Sequence, residues 1–388
     1  MSANHARIDS RMKTVAVSMG KREVGTLAQT SDGLLAFSYA DSWLRDGFSI
    51  SPLSLPLDGR VFVAEPHPLD GVFGVFADSL PDGWGRLLVD RTLRAHGYEP
   101  EGIGALTRLS IVGASGMGAL EYRPETKLEC GLELVDLDKI AADCASLLAT
   151  DHAEDLDSLF AMGGSSGGAR PKILTEVDGE DWIIKFPAGM DQRDIGAEEY
   201  RISQLARRCG VDMLETRLFP SKTCEGYFGA KRFDRGVGAS STGGKSADIE
   251  LNADTGGARR RIHMVSAAGL LETSHRIPNI DYATLMKLTW RLTDSIGDIE
   301  RLFRLMCFNV RIGNRDDHSK NFSYLCDPGN GTWTLSPAYD LTNNAGMNGE
   351  HATTVNGKGC DIDRADLVAV GVEAGIKQKR AEELLDQV

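Results

Sequence analysis

The chain has 388 residues, 41% hydrophobic and 26% charged, with a net charge of −13 from 43 basic and 56 acidic side chains. That is the composition of an ordinary globular protein of two or three compact units, and its acidity argues against unaided binding to DNA over a large surface. No apolar run approaches the ~20 residues of a membrane span, Met1–His5 lacks the apolar core of a secretion signal, and seven scattered cysteines without a C-x-x-C pair fit a reducing cytoplasm and argue against a zinc site.

In chain order, residues 13–125 alternate short apolar runs (Val15–Val17, Leu34–Phe37, Val61–Val63) with turn signals, which predicts a strand-rich unit carrying a helix at Trp84–His96. Residues 132–160 read as one or two helices with an acidic stretch. A glycine-rich loop follows, Gly163-Gly164-Ser165-Ser166-Gly167-Gly168-Ala169-Arg170-Pro171-Lys172. Glycines such as Gly167 and Gly168 let backbone N–H groups approach phosphates, although a flexible linker has the same composition. The loop matches neither a Walker A motif nor Gly-x-Gly-x-x-Gly. Lys172 enters the strand-like run Ile173–Thr175.

Next comes Trp182-Ile183-Ile184-Lys185-Phe186-Pro187. A lysine in an apolar, β-forming run is awkward to bury without an anion, unless it snorkels from an edge strand. Gly196-Ala197-Glu198-Glu199-Tyr200 opens a helix that closes on Arg207, Arg208, Cys209 and Gly210. Glu198 and Glu199 compete as partners of Lys185. Tyr227–Arg235 reads as a strand running into a charged turn, where backbone groups could meet adenine and Asp234 a ribose. Residues 236–261 are rich in Gly, Ser, Thr and Ala and read as a mobile insertion. The clusters Arg259-Arg260-Arg261 and Lys377, Lys379, Arg380 read foremost as solvated faces. Helices are predicted over Ile262–Glu272, Tyr282–Ser295 and the amphipathic Ile296–Ile312, whose Ile299, Leu302, Phe303, Met306 and Val310 share a face that anchors the following loop.

That loop is Asn314-Arg315-Asp316-Asp317-His318-Ser319-Lys320-Asn321, followed by Ser336-Pro337-Ala338-Tyr339-Asp340-Leu341. Asp, Asn five positions on, and a second Asp beyond a strand is the order of a kinase catalytic loop, where the first Asp accepts the hydroxyl proton and the others hold Mg²⁺ on ATP. The interval selects Asp316 over Asp317 as base. Taken alone, the pattern is also that of a polar Asx turn. His318 is expected to orient neighbours through hydrogen bonds, and Lys320 either approaches the γ-phosphate or caps the turn.

Together these motifs resemble the HipA-like serine/threonine kinases, the toxins of HipBA toxin–antitoxin modules. The likeness extends to Gly25-Thr26-Leu27, Phe37-Ser38-Tyr39, Ser51–Leu57, Leu80-Pro81-Asp82-Gly83-Trp84-Gly85-Arg86 and Met117–Leu120. It implies an α+β, bilobal, protein-kinase-like fold: a strand-rich N-terminal subdomain (1–130), an ATP-binding part (131–235), the insertion (236–261) and a mainly helical C-terminal lobe (262–388). It implies ATP and Mg²⁺ as cofactors, Asp316 as catalytic Asp, Asn321 and Asp340 as metal ligands, Lys172 and Lys185 as phosphate-binding lysines, and Phe233 and Asp234 at adenine and ribose. Counting back seven positions from Lys172 places the family's autophosphorylated serine at Ser165, with Ser166 as rival. The implied partners are a HipB-like helix-turn-helix antitoxin, operator DNA through that antitoxin, and a protein substrate among translation factors such as aminoacyl-tRNA synthetases. A cytoplasmic protein with no membrane attachment is expected. A kinase-fold corepressor with little catalysis and a small-molecule or lipid kinase are the other readings the sequence leaves open. The chain stops at Leu384–Val388, inside a predicted helix where family members commonly extend further.

Overall fold

The computed structural model describes residues 8–126, 136–150, 156–189, 191–236 and 260–388. The N-terminal unit is built on a five-stranded antiparallel sheet of β1 (Thr14–Met19), β2 (Arg22–Gln29), β3 (Leu35–Tyr39), β4 (Phe62–Val63) and β5 (Glu121–Arg123), in the order β4-β3-β2-β1-β5. Leu35, Phe37 and Tyr39 alternate into the core along β3, as a half-buried strand requires. The rest of this unit is helical: α1 (Asp41–Asp46), α2 (Gly74–Ala77), α3 (Gly83–Ala95) and α4 (Ala105–Val112). In α3, Trp84, Leu88, Val89 and Leu93 fall on one buried stripe.

After α5 (Leu137–Thr150) and α6 (Leu156–Gly163) comes a second antiparallel sheet of β6 (Lys172–Val177), β7 (Glu180–Lys185), β8 (Thr216–Phe219) and β9 (Tyr227–Lys231), in the order β6-β7-β9-β8. Asp178 and Gly179 both take positive φ (53° and 78°) in the β6–β7 hairpin, which suits a tight two-residue turn. The hairpin register sets Lys172 directly opposite Lys185. Helix α7 (Ile195–Arg208) packs on β8 and β9 and ends before Gly210 at φ 72°. Trp84 and Leu88 of α3 share one apolar cluster with Ile173 and Ile184 of this sheet, so the N-terminal unit supports the sheet from behind.

The C-terminal part contains β10 (His263–Ser266), α8 (Ala267–Leu270), β11 (Ile280–Asp281), α9 (Tyr282–Thr293), α10 (Ile296–Ile312), β12 (Ser323–Cys326), β13 (Trp333–Leu335), β14 (Thr353–Thr354), α11 (Arg364–Glu373) and α12 (Gln378–Asp386). The helix expected over 262–272 is instead a strand and one short helical turn. His263–Ser266 pairs residue for residue with Ser323–Cys326, and that ladder overrides the local helical pattern. Helix α10 behaves as read: Ser295 Oγ accepts the Asp298 N–H at 3.2 Å, Ile299, Leu302, Phe303 and Met306 are buried, and Gly313 at φ 68° ends it. The terminal helix closes at Asp386, with Val388 buried behind it.

The predicted insertion falls largely on residues 237–259, outside the described residues. Its base is closed by an antiparallel bridge between Arg235 and Arg261. Arg261 is no part of a free basic patch, since its guanidinium binds the Ala114, Gly116 and Gly118 carbonyls and Glu121. Arg380 pairs with Glu300 at 2.6 Å. Among the described residues no helix is long and apolar enough to cross a membrane.

Candidate active site

Lys185, the last residue of β7, joins the two halves of the site. Its Nζ donates to Glu199 Oε1 of α7 at 2.5 Å and also to Asp340 Oδ1. Helix phase settles the choice of acid: Glu199 is buried against the sheet, whereas Glu198 is turned partly outward. Burial alone lowers the pKa of the Lys185 ammonium, but Asp340 and Glu199 more than reverse this and raise it. Burial likewise pushes the Asp340 carboxyl up, yet Lys185 and Lys172 hold it well below the usual carboxylate range. For Glu199, burial outweighs the pull of Lys185 and the pKa is raised. Asp340 has a φ of 57°, a left-handed conformation that Asp tolerates better than most residues and that turns the chain sharply there.

Lys172 lies buried opposite Lys185, and two like charges facing across a hairpin destabilise it unless anions lie between or beside them. Burial, and then the neighbouring Lys185, lower the Lys172 pKa. Its Nζ donates to the Gly167 carbonyl at 2.6 Å and so shapes the glycine-rich loop from beneath. Gly168 sits at φ 81°, a backbone conformation that favours glycine, and a Cβ there would lie 2.7 Å from the tip of the Lys172 side chain. Of the two serines, Ser165 is partly exposed and donates to the Ser115 carbonyl at 3.1 Å. Ser166 is only 4% exposed and donates to the Gly163 carbonyl at 2.6 Å.

The Asn314–Asn321 loop separates its two aspartates. Asp317 has no exposure and accepts from Tyr282 Oη at 2.9 Å, the Thr353 N–H at 3.3 Å and His351 Nδ1 at 3.0 Å. Asp316 points the other way, with 57% of its side chain exposed and His318 Nε2 at 3.9 Å. Its carboxyl is still crowded by protein, so its pKa is raised, first by desolvation and then by the charges of Asp340 and Asp317, against the pull of His318. Asn321 donates its side-chain N–H to the Asp316 carbonyl at 2.7 Å, which fixes the amide and leaves its oxygen free to accept. Tyr339 Oη donates to the Lys320 carbonyl at 2.7 Å and tethers this loop to the residue before Asp340.

Lys320 pairs with Asp82 of the N-terminal unit, a contact across 238 positions that no local spacing reveals. Asp234 requires a correction. Its carboxylate is fully buried and takes Arg232 Nε at 2.9 Å, Arg232 Nη2 at 2.7 Å, Arg235 Nη1 at 2.7 Å and the Gly118 N–H at 2.6 Å. With both oxygens enclosed by donors it meets no ribose in this arrangement; it ties the hinge to the 113–120 segment. Phe233 remains partly exposed, its ring 5.6 Å from that of Tyr339.

The donor set has a bearing on Mg²⁺. Among the described residues no three His, Cys, Asp or Glu side chains cluster for a metal. Magnesium on a nucleotide needs fewer protein ligands, because phosphates and water complete its octahedron. One carboxylate, Asp340, and one fixed amide oxygen, Asn321, fit that sparse, all-oxygen requirement.

Two family models match the chain: the HipA N-terminal domain over residues 15–123 and the HipA-like C-terminal domain over residues 164–388. The candidate kinase Y4mE of Sinorhizobium fredii is 28% identical over 348 residues, covering 82% of this chain and 74% of that protein. A second candidate kinase of that organism, Y4dM, is 24% identical over 366 residues, covering 92% and 84% respectively. Among solved structures the chain is similar to HipA of Shewanella oneidensis MR-1, determined with HipB and operator DNA. The TM-score is 0.69 at 17% identity, over 96% of this chain and 87% of that one.

Proposed function

The chain belongs to the HipA family and has its α+β, kinase-like fold, and from that premise we propose that it is an ATP- and Mg²⁺-dependent serine/threonine protein kinase acting as a toxin. The observation that carries the reading is the Glu199–Lys185–Asp340 chain of ion pairs, which joins helix, strand and metal-ligand candidate across the sheet. The names of the two Sinorhizobium relatives, both marked as kinases, agree with it.

In this mechanism Lys185 and Lys172 hold the nucleotide phosphates, with Gly167 and Gly168 offering backbone at close range and Phe233 lying against the base. Asp316, exposed and raised in pKa, accepts the proton of the attacking hydroxyl. Asn321 and Asp340 would hold Mg²⁺, which when bound neutralises charge on the phosphate oxygens. His318 faces Asp316 and Lys320 lies within the same loop, so both adjust charge near the acceptor. Ser165 is the better candidate for self-modification than Ser166, because its hydroxyl is partly exposed whereas Ser166 is enclosed. A phosphate on Ser165 would add about −1.5 to −2 charges to a loop meant to receive other phosphates. The HipB and operator DNA bound to the Shewanella HipA make a HipB-like antitoxin the expected partner, with a translation factor as the substrate class.

Intact-mass measurement of the purified chain before and after Mg²⁺-ATP tests this reading. One added phosphate on the Ser165 peptide, absent in Asp316→Ala, is the expected result. Failure to bind ATP and to phosphorylate either itself or added protein would remove the kinase reading.

A further inference from the structure

We propose that Asp82 is a positioning residue that clasps the glycine-rich loop to the catalytic loop before nucleotide arrives; the proposal builds on the kinase reading. Asp82 belongs to neither loop. It lies at the entrance of α3, yet its side chain makes no cap bond to its own helix. Instead Oδ1 accepts the Gly168 N–H at 2.6 Å, and Oδ2 pairs with the Lys320 ammonium. Burial raises the Asp82 carboxyl pKa, but Lys320 and the Gly168 N–H lower it further than that, so it is held ionised.

The surroundings are shaped for this contact. The Trp84 N–H donates to the Gly168 carbonyl at 2.8 Å, and the Trp84 indole donates to the Lys172 carbonyl at 3.1 Å. A Cβ on Gly85 would stand 2.0 Å from the Ser166 oxygen, and one on Gly83 2.3 Å from the Gly168 oxygen. The first turn of α3 is therefore a seat for residues 166–168, stripped of side chains where the loop backbone lies on it. A backbone N–H and an ammonium are the donors a phosphate group seeks, and one carboxylate holds both in place. Asp82 thereby fixes the spacing between a phosphate-binding backbone and a lysine of the acceptor side, and shares Lys320 with phosphate once nucleotide enters.

Two variants test the clasp. Asp82→Ala removes both contacts; Asp82→Asn keeps an acceptor for Gly168 but loses the charge facing Lys320. Amide hydrogen exchange over residues 163–170 in the nucleotide-free full chain should speed up about tenfold in Asp82→Ala, the equivalent of one good hydrogen bond, and much less in Asp82→Asn. The ATP KM of Asp82→Ala should rise about fivefold with a smaller change in kcat. Asp82→Asn should have no added effect on kinetics in a Lys320→Met background, because the two act as one contact. Unchanged loop exchange in Asp82→Ala overturns the clasp, whatever the catalytic result. Faster loop exchange in a chain that binds no ATP would keep Asp82 as the residue holding the loop while removing the kinase reading.

Discussion

Behind the Asn314–Asn321 loop the Asp317 carboxylate is sealed from water and shared among Tyr282, His351 and Thr353; in front of it Asp316, one residue earlier, keeps 57% of its side chain in solvent. The rear network continues through Asn309 Nδ2, which donates to Tyr282 Oη at 2.9 Å, and Asn314 Nδ2, which donates to Asn309 Oδ1 at 3.0 Å. These links fasten the loop to α9, α10, β14 and the His351 segment just before β14, so the rear sets where the loop stands. The front is held through its backbone by Asn321 and Tyr339 and through the Lys320–Asp82 pair, and the Asp316 carboxylate oxygens remain open. A rigid support behind an accessible carboxylate holds that group in position without saturating it.

Adjacent substitutions separate the two faces. Asp316→Ala should lower phosphoryl transfer by a hundredfold or more, on the order expected for a lost general base, with the melting temperature unchanged. Asp317→Ala should instead cost about 3 kcal/mol of folding stability, because it leaves buried donors of Tyr282 and His351 unpaired. Denaturant unfolding beside a phosphate-transfer assay reads both. If Asp316→Ala destabilised the chain as much as Asp317→Ala did, the division into support and working face would be wrong.

The rear scaffold also carries an acid-sensitive point. His263 on β10 is fully buried, its Nε2 2.8 Å from the Ile50 carbonyl, between the rings of Phe48 and Trp333. Desolvation lowers its pKa from 6.5 to about 4, against the smaller opposing effect of the Ile50 bond. A folded pKa below the unfolded one favours the neutral ring in the fold. Its contribution is thus fully present above pH ~6.5 and is lost as pH falls toward 4, by about 3 kcal/mol in the limit. His263→Gln, which can still donate to Ile50, should flatten the fall in melting temperature over that window. Parallel pH profiles for the two proteins would exclude His263 as the source.

Much of this arrangement was legible in the chain. The order of Lys185, the α7 acids, Asp316, Asn321 and Asp340 is a sequence property, and the five-residue interval already distinguished Asp316 from the Asp317 that the structure buries. Other features depend on what the fold brings together. Glu199 is selected over Glu198 by helix phase against a sheet whose packing side no spacing reveals. Asp82 acquires its role through contacts 86 and 238 positions away. The strand at His263–Ser266 needs its partner Ser323–Cys326 to exist. Asp234 was misread although a local signal was present: an acid with Arg232 two positions before it and Arg235 directly after it has two guanidinium partners at hand, and burial completes the pairing.

The smallest expected effect probes the front face alone. His318 lowers the Asp316 pKa, whereas desolvation and the charges of Asp340 and Asp317 raise it. If Asp316 must be ionised to accept the hydroxyl proton, transfer falls on the acid side as pH drops through that raised pKa. His318→Gln removes that opposing interaction while keeping a polar side chain, so the acid limb should move to higher pH with little loss at the plateau. A pH–rate profile of both proteins, taken at saturating ATP, reads the limb directly. A shift to lower pH would mean that His318 acts other than through the Asp316 carboxyl. An upward shift would locate the tuning of the front face in the gap between those two side chains, since among the described residues the His318 ring makes no hydrogen bond to Tyr282, His351 or Thr353, which hold the loop from behind.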